Sequence, residues 1–75
     1  MMTTNEEFLI LCKNIKSLRE RNGLSKKKMA ELMGISISSL TKLEQGFMPH
    51  RIKVDIIFNL SVNFDIHPKN LFSPL

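Results

Sequence analysis

The chain has 75 residues, eleven lysines and arginines against seven acids, a formal net charge of +4 and 43% hydrophobic residues. That is one domain, residues 1–75, near the size at which a core only just stabilises itself, and the apolar content excludes wholesale disorder. No apolar run approaches the ~20 residues of a membrane span, and Met1-Met2-Thr3-Thr4 lacks the basic and apolar regions of a signal peptide, so a cytoplasmic protein is expected.

Thr4-Asn5-Glu6-Glu7 spells a capping box, Thr-x-x-Glu, directly ahead of an apolar run. Phe8, Leu11, Cys12, Ile15 and Leu18 then fall at three- and four-residue steps, one face of an amphipathic helix. Glu6 and Glu7 suit its positive end, and Lys16, Arg19 and Arg21 its C-terminal half. Asn22-Gly23 stops it, so a first helix is expected over about residues 5 to 22. Cys12 is the sole cysteine, which rules out an internal disulfide and fits a reducing compartment. It reads as a small buried apolar residue in preference to a reactive thiol.

Leu24 turns inward and Ser25 caps a second helix that begins at Lys26 and stops at Gly34. Met29, Ala30, Leu32 and Met33 recur at helical spacing along it, and small Ala30 lets the next helix cross closely. Ser36 caps a third helix, roughly Ser36 to Gln45, with Leu40 and Leu43 inward and Gly46 as its stop. Residues 25–46 are thus two short helices hinged at Gly34.

The positive charge is concentrated. Lys13, Lys16, Arg19, Arg21, Lys26, Lys27 and Lys28 share one interval with a single acid, Glu20. The three consecutive lysines also break a local rule, because they fill a first helical turn where the macrodipole disfavours each cation by roughly a few tenths of a kcal/mol. A lone lysine run is usually a solvated face. Beside a helical hinge it points to phosphates, which approach the N-terminus of such a helix.

Ile37, Ser38, Thr41, Lys42 and Gln45 face outward on the third helix. Ile37 either packs back on the second helix or meets something apolar, such as a thymine methyl. Ser38 and Lys42 lie one turn apart, a short donor and a long cation suited to base edges and phosphates.

Phe47 to Lys53 is a loop, with His50 and Arg51 as further phosphate contacts. Val54, Ile56, Ile57, Phe58, Leu60, Val62 and Phe64 then form a dense apolar run, expected as a largely buried fourth helix from about Lys53 to Asn63. His67-Pro68-Lys69-Asn70-Leu71-Phe72 fits a short fifth helix, with Pro68 in its first position and Pro74 as its stop. Two histidines and one cysteine far apart in sequence do not make a metal site, and no nucleophile, carboxylate pair or phosphate loop suggests an enzyme.

Gly23-Leu24-Ser25, Met29-Ala30-Glu31-Leu32-Met33-Gly34-Ile35-Ser36 and Ser39-Leu40-Thr41-Lys42-Leu43-Glu44-Gln45-Gly46 together resemble the lambda repressor-like, Cro/cI or XRE-type helix-turn-helix family. The first helix and the closing stretch from Phe64 to Phe72 are similar to that family's frame as well. The resemblance implies an all-α, five-helix bundle without cofactor or evident small-molecule ligand. It implies a transcriptional regulator of repressor type that binds double-stranded DNA as a homodimer on a pseudo-palindromic operator, third helix in the major groove. Lys26 stands where the family usually has a glutamine that braces the backbone contact. Ile37, Ser38, Ser39 and Lys42 stand at its base- and phosphate-reading positions. With Lys27, Ser36, Thr41, His50 and Arg51 they make up the expected DNA contacts. Arg19 and Glu44 stand where the family often buries an ion pair, a structural role.

Two questions stay open at the level of sequence. Phe64, Ile66, Leu71 and Phe72 either build a dimer interface or close the core of a single chain. The fold also serves a protein-interaction module or antitoxin-type partner, for which Ile37, Phe47 and Met48 would form an apolar docking patch.

Overall fold

The computed structural model describes residues 5–47 and 54–75. Among these, four α-helices follow in order: α1 Asn5–Arg21, α2 Lys26–Met33, α3 Ile37–Glu44 and α4 Val54–Phe64. The fifth element, Pro68–Phe72, has the expected His67 cap and Pro68 start but is a 3₁₀ turn and not an α-helix, so the described residues show four α-helices and a turn. Its bonds show why. The Asn70 amide closes on the His67 carbonyl at 2.8 Å, an i to i+3 bond, while His67 Nδ1 accepts from the Lys69 amide at 3.3 Å. Ser73 is extended, as a residue before proline prefers, so no second turn can form.

The helix ends follow from side chains and one special residue type. Ser25 Oγ accepts from the Lys28 amide at 3.0 Å and starts α2; Ser36 Oγ accepts from the Ser39 amide at 3.1 Å and starts α3. Gly34 ends α2 at φ +75°, where its own amide reaches the Glu31 carbonyl and the Ile35 amide reaches that of Ala30. This pair of bonds requires a left-handed residue after the helix. The same pair closes α1 after Arg21 and α3 after Gln45. At the end of α4 the left-handed position falls to Asp65, at φ +53°, a role the sequence did not advertise.

α1 packs on α3 and on the 3₁₀ turn, α2 on α3 and α4, and α4 also on the turn. Leu11, Ile15, Met29, Met33, Leu40, Leu60 and Leu71 are fully buried where these elements meet, with Phe8, Cys12, Leu18, Ala30, Leu43 and Ile56 around them. A polar side chain shares that interior. Asn14, buried among the α1 leucines, donates from Nδ2 to the carbonyls of Leu71 at 2.7 Å and Ser73 at 2.8 Å. It thereby fastens the C-terminal turn to α1 and satisfies two carbonyls that no helix ladder serves.

α4 departs from the largely buried helix expected. Ile56 and Leu60 enter the core, but Val54, Phe58 and Val62 are 82%, 63% and 62% exposed. A helix with apolar residues on two opposite sides needs cover on both, and α2 with the 3₁₀ turn covers only one.

Candidate nucleic-acid interface

Lys26, Lys27 and Lys28 are exposed on the first turn of α2, with no acid in that turn. Among the described residues none of them is held in an ion pair. Their ammonium groups therefore stand free beside the exposed amides of a helix N-terminus, both attractive to an anion.

α3 presents a second exposed surface. Ser38 and Lys42 lie one turn apart and in solvent, and Gln45 continues that side. Ile37, in the first position of α3, is 47% exposed, so packing against α2 accounts for only part of its surface. Thr41 is half-buried one turn further on. Ser36 and Ser39 have another duty. The Ser36 hydroxyl donates to Ser39 Oγ at 3.0 Å while capping α3, so these two hydroxyls chiefly set where the helix begins. His50, Arg51 and Met48 lie outside the described residues.

What holds α3 in place is a side-chain fork. Arg19 Nε donates to Glu44 Oε2 at 2.7 Å and Nη2 to Oε1 at 3.0 Å, joining α1 to the end of α3. A third donor, Nη1, reaches the Leu24 carbonyl at 3.4 Å. Both side chains are largely shielded, 15% and 5% exposed. The hydrogen bond to Glu44 holds the Arg19 guanidinium above its ordinary pKa, so it stays charged throughout the working range. The hinge between α2 and α3 is braced from the other side, where Asn59 Nδ2 of α4 donates to the Met33 carbonyl at 3.3 Å.

The residues considered for a dimer are placed differently. Leu71 is wholly buried within the chain and offers nothing to a partner, while Phe64, Ile66 and Phe72 are half-buried against the same core. Within one chain, then, Leu71 belongs to the core and the other three line its edge. The exposed apolar residues are others. Among the described residues, besides the α4 set, they are Leu9, Ile37, Phe47 and Leu75. Cys12 is buried on α1, and burial pushes its thiol up to about 11. Among the described residues no three side chains are grouped to hold a metal ion, and no helix is long and apolar enough to cross a membrane.

Asn14 and the α4 stripe escaped the sequence reading, though both left a signal. Asn14 sits in phase with Leu11 and Leu18 on the apolar face, and Val54, Phe58 and Val62 recur at four-residue steps, out of phase with Ile56 and Leu60.

A family model described as helix-turn-helix matches residues 15–71. No curated protein matches the chain, and no solved structure does.

Proposed function

The chain belongs to the helix-turn-helix family of DNA-binding domains, Cro/cI type, and we propose that it is a sequence-specific repressor that occupies a pseudo-palindromic operator as a dimer. α3 enters the major groove, where Ser38 and Lys42 reach base edges and phosphates and Ile37 meets an apolar base edge, the thymine methyl being the natural one. Lys26 and Lys27, at the start of α2, clamp the phosphate backbone beside it. His50 and Arg51, after α3, act on the far flank.

The observation that carries this reading is the free lysine run at the start of α2. It weakens the helix that bears it, and a polyanion is the partner that gains from it. Selection of bound sequences from a random duplex pool tests specificity and spacing together. The expected result is two inverted half-sites with centres about one DNA turn, ~34 Å, apart. Recovery of unenriched sequence at low salt would refute it.

A protein-docking role has one observation in its favour, the exposure of Ile37 and Phe47. In that role the lysines are bystanders, and exchanging Lys26 and Lys27 for glutamine leaves the partner's affinity unchanged.

A further inference from the structure

We propose that the outer face of α4, formed by Val54, Phe58 and Val62, is the surface through which two copies of this chain pair. The inference rests on the dimeric reading above and supplies the surface that reading lacks. The stripe lies opposite the side of α4 that carries Ile56 and Leu60 into the core. Among the described residues its three members are, with Phe47, the most exposed large apolar side chains, and such a patch on a small protein is commonly a contact surface.

Three features point to a second copy as the occupant. The first is charge. The chain carries +4, yet α4 holds no cation and a single charged residue, Asp55. Two identical basic molecules repel least where they meet through α4, and a nucleic acid finds nothing there to grip. The second is symmetry. The stripe reads Val, Phe, Val at equal four-residue steps, so a two-fold axis through Phe58 sets Val54 of one copy against Val62 of the other. Such antiparallel pairing also opposes the two helix dipoles favourably. The third is placement. α4 packs on α2 and the 3₁₀ turn, whereas α3 packs on α2 and α1. Pairing through the outer side of α4 therefore leaves α3 and the lysines open to DNA.

The size of the patch sets the strength. Three side chains offer a few hundred Å² at most, well short of the ~800 Å² per partner of a stable interface. The pair is accordingly weak in solution and tightens when neighbouring half-sites hold two copies side by side.

Disulfide trapping in the full chain tests this, with Cys12→Ala as background and single cysteines introduced by Phe58→Cys, Val54→Cys or Val62→Cys. The expected result is rapid homodimer trapping at position 58 that falls at least tenfold at 54 and 62, restored when those two variants are mixed. Equal trapping at all three positions overturns the antiparallel arrangement. Sedimentation of the unmodified chain, free and on operator duplex, separates the two levels of failure. Self-association that persists in Phe58→Ser with no trapping at 58 overturns this surface but keeps the dimer. One copy per duplex at every concentration overturns the dimer, and with it this proposal.

Discussion

Arg19 and Glu44, 25 residues apart, meet through two nearly parallel hydrogen bonds of 2.7 and 3.0 Å and lock α3 to α1. The planar fork of the guanidinium matches the carboxylate in a way a lysine cannot. Removing either partner strands a shielded charge. Glu44→Ala is expected to cost about 2–3 kcal/mol in urea denaturation, toward the low end for breaking a buried pair because the Arg19 end is partly open. Arg19→Lys keeps the charge and still loses much of that. The loss should change little between low and high salt, since shielded pairs escape screening.

Asn14→Ala leaves the carbonyls of Leu71 and Ser73 without their donor. The expected loss is about 1–3 kcal/mol. Amide exchange should accelerate at Asn70 and Ser73, within and after the 3₁₀ turn, before it accelerates in α2 or α3.

Asp65 holds a left-handed backbone without being a glycine. Asp65→Gly is expected to stabilise the chain by up to ~1 kcal/mol, and Asp65→Val to destabilise it by ~1–2 kcal/mol. Thermal melts of the two variants should bracket the parent.

Burial raises the Cys12 thiol from 9.0 to about 11. In the unfolded chain the thiol is free to ionise near its ordinary value. Its contribution to stability is therefore complete below about pH 9 and lost as pH rises toward about 11. Cys12→Ala should show a shallower decline over that window. At pH 8 a thiol reagent should label Cys12 only in denaturant.

Lys26→Glu with Lys27→Glu should move stability and binding in opposite directions. Acids in the first turn of α2 favour the helix, so the melting free energy rises by a few tenths of a kcal/mol per site. DNA affinity collapses. The milder exchange of both lysines for glutamine should reduce the slope of log affinity against log salt by about 2. A slope equal to the parent's would remove these lysines from the phosphate contacts.

The sequence exposed the serine caps of α2 and α3 and the three glycine stops, because each is a local event between neighbours; Thr4, read as the cap of α1, lies outside the described residues. The inward positions Leu40, Leu43, Met29 and Met33 were legible for the same reason: a helical period fixes which side chains share a face. The Arg19–Glu44 partnership is different. No local pattern joins residues 25 apart, and it was suggested only by family resemblance. What pattern alone could not decide was cover. α4 is apolar on both sides, and only the arrangement of α2 and the 3₁₀ turn determines that Ile56 is buried while Phe58 is not. The same limit applied to Leu71, which pattern left open between the core and a partner and which is wholly buried within the chain. Asn14 was ambiguous in kind, since a polar residue on an apolar face is either a flaw or a fastening until its acceptors are seen.

That fastening has a consequence for how the protein is made. Asn14 lies near the beginning of the chain and its acceptors at residues 71 and 73, with sequence separations of 57 and 59. A nascent chain can form α1, α2 and α3 as it emerges, yet the asparagine has only water for a partner until residue 73 is clear of the ribosome. Native closure is thus a late event in synthesis, and any stop before Leu71 yields a product with its hinge of helices present and its interior unsealed.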